Sequence, residues 1–110
     1  MLWQQFAYDA AETAFQKAIT IWPESSIPLW CLAMFYDYEK RPRLAGRYYR
    51  KSLELDPNDT VALLRYGHFL RTQHRHLKAK RIYERLLALE PYNERANSEL
   101  YEATFSSQYR

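Results

Sequence analysis

The stretch "KSLELDPND" at residues 51–59 returns in altered form 34 residues earlier as "KAITIWPES" and 34 residues later as "RLLALEPYN". Each version opens with a cation, continues through apolar residues, and reaches a proline that a polar residue follows within two positions. Two equal intervals between Pro23, Pro57 and Pro91 are not expected by chance in a chain with only five prolines. Because a period of 20–50 residues marks an array of repeats, the sequence predicts a repeat protein.

Composition favours an all-α chain. The 110 residues suffice for one domain, and two glycines are too few for a sheet with many tight turns. A single cysteine, Cys31, excludes an internal disulfide and favours a reducing compartment, so we expect a cytoplasmic or nuclear location. We expect no membrane span, because no apolar run approaches the roughly 18 residues that one needs, and no signal peptide, because the first residues lack a basic region. The net charge of +3 permits an acidic partner without requiring one.

With each proline at position 32 of a 34-residue unit, we expect complete units at 26–59 and 60–93, a partial unit at 1–25, and a capping helix or partial unit at 94–110. The second half of each unit has alanine at position 20 and an aromatic residue at position 24, which is the spacing of one helix face. Those residues are Ala11, Ala45 and Ala79, then Phe15, Tyr49 and Tyr83. The first halves predict a second amphipathic helix. The expected helices are 3–21, 27–39, 43–55, 60–72, 76–89 and 94–106, with caps at Ser25 or Ser26, Asp59 and Asn93.

These positions resemble the tetratricopeptide repeat (TPR), whose pattern requires a small residue at 8, Ala at 20, an aromatic at 24 and Pro at 32. The unit 26–59 departs at Ser52, and the unit 60–93 departs at Tyr66 and Leu86, so we expect local repacking there. The resemblance implies an all-α, TPR-type right-handed superhelical solenoid of antiparallel helix pairs. The segment "AKRIYERLL" is also similar to the HAT repeat, a TPR relative of RNA-processing scaffolds.

The resemblance implies that the first helix of each unit, helix A, lines a concave groove. The residues assigned to that groove are Ile27, Trp30, Met34, Tyr38, Val61, Leu64, Arg65, His68, Arg71 and Arg95. Exposed apolar side chains in a groove commonly await a partner, so we expect a non-enzymatic scaffold that binds a peptide or partner segment. An apolar anchor would lie near Trp30 and Met34, and an acidic group near Arg65 and Arg71. The alternative, that these side chains pack only against neighbouring helices, remains open.

Some members of this family grip the C-terminal carboxylate of chaperones. The resemblance implies that such a clamp needs Lys at position 5 and Asn at 9, then Asn at 6, then Lys at 2 and Arg at 6. This chain has Trp30, Met34, Arg65, Arg95 and Glu99 at those places. Four of the five do not fit, so we reject that class of ligand for this chain.

Two other functions stay open. The apolar first helix predicts self-association, and possible contact residues for a homodimer are Leu2, Trp3, Phe6 and Ala10. The basic residues could instead contact RNA, although the nearby Tyr83 is expected in the core and so unavailable for base stacking. That basic cluster comprises Arg71, Arg75, Lys78, Lys80, Arg81 and Arg85. We expect no catalytic site, metal or cofactor, because the histidines of "HRH" at 74–76 do not share a helix face and Cys31 has no base nearby in sequence.

Overall fold

The computed structural model describes the backbone of residues 2–108 and the side chains of residues 4–105. Six α-helices and no strand occur within this range. They are α1 (Leu2–Ile21), α2 (Ile27–Tyr38), α3 (Pro42–Leu55), α4 (Thr60–Thr72), α5 (His76–Leu89) and α6 (Glu94–Gln108). Every helix expected from the periodicity is present, with ends within two residues of those predicted. The all-α fold is therefore confirmed.

The helices form two compact units, Met1–Pro57 and Asn58–Arg110, which we call the first and second unit. In the first unit α2 packs against both α1 and α3, and in the second unit α5 packs against both α4 and α6. Each unit thus has a central helix between two outer ones.

The core of the first unit is built from small and aromatic residues. Ala33 and Ala45 are fully buried, and Tyr49 is almost so, because small residues on facing helices let the backbones approach. Ser52 stands where the family pattern has alanine, and its buried hydroxyl donates to the carbonyl oxygen of Ser26 at 3.1 Å. The departure is accommodated without leaving a buried polar group unsatisfied.

In the second unit the fully buried core residues include Leu63, Ala79, Tyr83 and Leu86. Leu86, which is larger than the alanine of the family pattern, is accommodated with no exposed surface. Gly67 of α4 lies directly against the ring of Tyr83, since a Cβ at this glycine would be 2.7 Å from the ring atoms Cε1 and Cζ. The small residue at position 8 is therefore required by a specific close contact in this unit.

The turns between the two helices of each hairpin share one geometry. Lys40 and His74 both have φ of 61°, the left-handed region in which a side chain costs roughly 1–2 kcal/mol. After each of them, an amide donates back to the end of the preceding helix, from Arg41 to the Tyr36 oxygen and from Arg75 to the Leu70 oxygen, both at 2.9 Å. These bonds satisfy helix-terminal carbonyls. A turn of this kind explains how the chain reverses near residue 74 without a glycine or proline.

The helix caps agree largely with the prediction. The Asp59 carboxylate accepts from the amides of Val61 and Ala62 at 3.1 and 3.2 Å, and Asn93 accepts from the amide of Ala96 at 2.9 Å. At α2 the Ser26 side chain makes no capping bond, whereas Ser25 accepts from the amide of Ile27 at 3.3 Å.

Candidate functional site

The apolar character of α2 exceeds what its packing requires. Of its twelve residues only Pro28, Leu32, Ala33 and Tyr36 are buried, and Asp37 is its one charged residue. The groove candidates Ile27 and Tyr38 are 56% and 72% exposed, while Trp30 and Met34 are half-buried. A helix that is apolar on nearly every side is normally covered on every side, so the outer face of α2 is the first candidate binding surface.

Part of this face is engaged within the first unit. The ring of Tyr38 meets that of Tyr8 edge-on at 6.2 Å, and Tyr8 in turn meets Phe35 at 6.1 Å. The neighbouring Tyr38 hydroxyl raises the pKa of Tyr8, with burial adding to the shift. Packing against Tyr8 therefore explains why part of the Tyr38 ring is covered. It does not account for Trp30, whose buried indole Nε1 has no hydrogen-bond partner among the described residues.

The corresponding face of α4, in the second unit, mixes apolar and basic residues. Val61 is 44% exposed, and Leu64 is half-buried. Arg65 is also half-buried, and its Nε finds no hydrogen-bond partner in the described part of the chain. Arg65 therefore presents a cation that the described residues leave without an ion pair.

A partly buried polar network joins the three helices of the second unit at Glu99 of α6. The Tyr83 hydroxyl donates to Glu99 Oε2 at 3.0 Å, and Arg71 Nη1 lies 3.3 Å from the same oxygen. His68 Nδ1 lies 3.5 Å from Oε1. The groove candidates Arg71 and His68 are thus brought together by a carboxylate of their own chain, and an acidic ligand would have to compete with Glu99 for them.

Burial is the main cause of the raised pKa of Tyr83, and the adjacent Glu99 carboxylate raises it further. A similar arrangement occurs in the first unit, where the Tyr36 hydroxyl donates to Glu12 at 3.1 Å. Burial, followed by Glu12, raises the pKa of Tyr36 as well. Arg41 lies 4.0 Å from Glu12, with its guanidinium carbon 5.2 Å from the centre of the Tyr36 ring. Each unit therefore contains a tyrosine whose hydroxyl donates to a glutamate that also lies near an arginine.

Replacing Glu99 with glutamine is expected to destabilise the second unit by about 1–3 kcal/mol, because the amide keeps an acceptor for Tyr83 but loses the charge that pairs with Arg71. The exposed Glu102 on the same helix is the matched control, and Glu102→Gln should change stability by less than about 0.5 kcal/mol. Amide hydrogen exchange in α5 and α6 would measure both effects. Equal effects of the two variants would contradict the structural role of Glu99.

The remaining predicted groove residue, Arg95 of α6, is exposed. The basic cluster has exposed members in Arg75, Lys78, Arg81 and Arg85, but Tyr83 beside them has no exposed surface. The expectation that Tyr83 is unavailable for base stacking is therefore confirmed.

The outer side of α1, which we expected to be apolar, mixes apolar side chains with polar and charged ones. Phe6 is 75% exposed and Ala10 is also exposed, while the side chains of Leu2 and Trp3 lie outside the described residues. The described residues contain no group of three metal-ligating side chains, and none of their helices combines the length and apolar character of a membrane span.

Comparison with known proteins identifies the repeat. Two family models, each described as tetratricopeptide repeat, match residues 48–81 and 31–59. The chain is 37% identical over 79 residues to the type IV pilus assembly protein PilF of Pseudomonas aeruginosa, covering 72% of this chain and 30% of PilF. It is 31% identical over 83 residues to anaphase-promoting complex subunit 3 of Schizosaccharomyces pombe, covering 76% of this chain and 12% of that protein. The chain thus spans less than a third of either relative.

Among solved structures, the first TPR domain of Spaghetti (RPAP3) bound to the HSP90 peptide SRMEEVD superposes with a TM-score of 0.83. The two are 26% identical, and the match covers 96% of this chain and 84% of that one.

Proposed function

Because this chain belongs to the tetratricopeptide repeat family, we propose that it is a non-enzymatic scaffold that binds a peptide or partner segment through helix A of each unit. The candidate surfaces are the outer face of α2 in the first unit and the outer face of α4 in the second. Support for binding in general comes from the fold, since a structural relative holds a peptide of HSP90.

The observation that carries the proposal is the composition of α2. Ile27 is 56% exposed, and Trp30 and Met34 are only half-buried, on a helix with a single charged residue. Desolvating apolar side chains of this size supplies the driving force of a protein interface. Trp30 is the best candidate for the anchor, because tryptophan is among the residues that most often dominate binding energy.

An acidic group on the partner would be recognised by Arg65 of α4 rather than by Arg71. Arg71 is already paired with Glu99 at 3.3 Å, so binding an acidic ligand there would first require breaking that pair. Arg65 has no ion pair within the described residues, and its planar guanidinium can bind a carboxylate with two parallel hydrogen bonds.

The HSP90 peptide of the structural relative should not be the ligand. The residues that would grip a terminal carboxylate are replaced here by Trp30 and Met34 on α2 and by Glu99 on α6, and Glu99 is an acceptor where such a clamp needs a donor. We expect the peptide SRMEEVD to bind at least about a hundredfold more weakly than peptides selected on this chain, a difference of roughly 3 kcal/mol. Fluorescence anisotropy with labelled peptides would measure it. Comparable affinity would overturn the rejection of the chaperone class.

Peptides selected from a random dodecamer display library provide the probe for the two surfaces. Selected sequences should combine a large apolar residue with Asp or Glu. Trp30→Ala should weaken their binding by about tenfold or more, and Ile27→Ser, at an exposed position, tests the same face with little effect on folding. Arg65→Glu should remove the preference for acidic peptides.

Arg81→Glu is the matched control, since it reverses an exposed cation of α5 outside both surfaces. If the selected peptides bind the Trp30, Ile27 and Arg65 variants as tightly as the unchanged chain, the helix A faces are excluded. If Arg81→Glu weakens binding as much as Arg65→Glu, the basic surface acts only through its general charge.

Self-association is a second candidate function, because one observation favours it. The outer face of α1 is exposed along its length and carries two large apolar side chains, Phe6 at one end and Ile21 at the other. This surface differs from the α2 and α4 faces, so a dimer and a bound peptide are compatible.

A further inference from the structure

The middle of the outer face of α1 lacks a cation that the equivalent positions of α3 and α5 carry. Thr13 of α1 corresponds, at the 34-residue period, to Arg47 of α3 and Arg81 of α5. All three positions are exposed, so solvation would favour a charge at each of them. Phe6 corresponds to Lys40 and His74, which lie in the turns before α3 and α5, whereas Lys17 keeps the cation found at Lys51 and Arg85. At position 13, in the middle of the face, α1 alone therefore carries an uncharged side chain.

The exposed residues of this face form one continuous stripe. Phe6 and Ile21 stand 75% and 62% exposed at its two ends, and between them lies a shallow groove of about 410 Å³. The groove is lined by Phe6, Asp9, Ala10, Thr13, Ala14 and Lys17. The Thr13 hydroxyl donates to the carbonyl oxygen of Asp9 at 2.9 Å, so the hydroxyl is satisfied within the helix and the methyl group adds to the apolar stripe.

We propose that this stripe binds a second copy of the chain, with the two α1 helices antiparallel about a twofold axis near Thr13. In that arrangement Phe6 of each copy packs against Ile21 of the other. The small side chains of Ala10, Thr13 and Ala14 lie at the crossing, where they allow an interaxial distance of about 8 Å. This arrangement rests on the self-association proposed above, and it specifies the orientation and the register of the two α1 helices.

Charge complementarity identifies the occupant as a copy of the same helix. Asp9 and Lys17 lie two turns apart, one on each side of Thr13. A partner helix must therefore present a cation and an anion in the reverse order, which α1 itself does when it runs antiparallel. The side chain of Gln5 donates to Asp9 at 3.0 Å and holds the carboxylate at the edge of the stripe. A parallel pair would instead place like charges together.

One helix pair buries less surface than a standard interface of about 1,200–2,000 Å², so the dimer should be weak and concentration-dependent. Sedimentation equilibrium over roughly 1 μM to 1 mM covers the corresponding range of dissociation constants. Asp9→Lys and Lys17→Asp should each lower the association constant about tenfold, because symmetry turns each change into two like-charge contacts. The double variant Asp9→Lys/Lys17→Asp should restore association to near the original value.

Two controls separate this pairing from a fold defect or a general charge effect. Thr13→Arg, which places at the axis the residue type found at 47 and 81, should abolish association and leave the helical circular dichroism unchanged. Lys51→Asp reverses the charge of the α3 residue equivalent to Lys17 and should not affect association.

Cysteine cross-linking tests the orientation. In a Cys31→Ser background, Thr13→Cys should form a disulfide-linked dimer readily, because the axis brings the two copies of position 13 together. Phe6→Cys should not, since its two copies would lie about 21 Å apart along the helices, given a rise of 1.5 Å per residue. A chain that stays monomeric up to about 1 mM, a double charge swap that fails to restore association, or efficient cross-linking at position 6 would each overturn the proposal.

Discussion

Replacing Tyr83 with alanine is expected to destabilise the second unit by about 3–5 kcal/mol, the range found for deleting a large buried ring. Tyr83 has no exposed surface, and its ring fills the space against Gly67 of α4. Its hydroxyl reaches Glu99 of α6, so one side chain of α5 contacts both neighbouring helices. Truncation would leave a cavity and remove a donor from a mostly buried carboxylate.

The measurement is urea denaturation combined with amide hydrogen exchange, which reports the second unit separately. Tyr92→Ala is the matched control, because Tyr92 is in the same unit and 94% exposed. Its change should stay below about 0.5 kcal/mol. If Tyr83→Ala destabilises the second unit by no more than Tyr92→Ala does, Tyr83 does not hold the three helices together.

Tyr83→Phe removes the hydroxyl and keeps the ring, so it isolates the part of the stability that depends on the hydroxyl and changes at alkaline pH. Burial raises the pKa of Tyr83 above its ordinary value of 10.0, so above pH 10 the unfolded chain releases this proton while the folded chain keeps it. The stability due to Tyr83 is therefore fully present below pH 10 and is lost as the pH rises above it, by at most about 1.4 kcal/mol per pH unit. Tyr83→Phe lacks this loss.

At pH 9 we expect the unchanged chain to be more stable than Tyr83→Phe by about 1 kcal/mol, the contribution of one hydrogen bond. At pH 11 that advantage should disappear, because keeping Tyr83 protonated in the folded chain then costs about 1.4 kcal/mol. The other tyrosines titrate equally in both proteins and do not change the difference. Urea denaturation at the two pH values would show it. An advantage that persists unchanged at pH 11 would contradict the buried position of the Tyr83 hydroxyl.

The helices could be predicted from the sequence because the repeat pattern depends on backbone geometry and on the size of the side chains at helix contacts. Proline cannot continue the interior of a helix, and Pro57 and Pro91 follow the ends of α3 and α5 by two residues. Alanine at 45 and 79 predicts a close helix contact, and both residues are fully buried. The capping side chains of Asp59 and Asn93 act over two or three residues, a range that can be read from one short segment.

The Glu99 network could not be predicted in the same way. Tyr83 and Glu99 are 16 residues apart, and the same spacing from Tyr49 leads to Arg65, while from Phe15 it leads to Cys31. The repeat therefore carries no common charge at this position. Because the partner of Arg71 lies on another helix, the sequence alone favoured Arg71 as a ligand-binding residue. The left-handed turns at Lys40 and His74 were missed for a related reason, since neither residue is the glycine that usually marks such a turn.

Gly67→Ala is expected to destabilise the second unit by about 1–3 kcal/mol, although the same change in an exposed helix interior stabilises by about 1 kcal/mol. The new methyl group would lie 2.7 Å from Cε1 and Cζ of Tyr83. The ring has no exposed surface and is tied to Glu99 by its hydroxyl, so it cannot rotate into solvent. The steric cost should therefore exceed the gain in helix propensity.

A double-mutant cycle isolates that steric cost. Tyr83→Leu removes the two ring atoms that the methyl group would meet, so Gly67→Ala in this background should become neutral or stabilising by up to about 1 kcal/mol. The sign of the glycine substitution thus depends on the residue at position 83, and urea denaturation of the four proteins measures it. If Gly67→Ala stabilises the otherwise unchanged chain, contact with Tyr83 is not the reason that position 67 requires a glycine. The close approach of α4 to α5 would then have another cause.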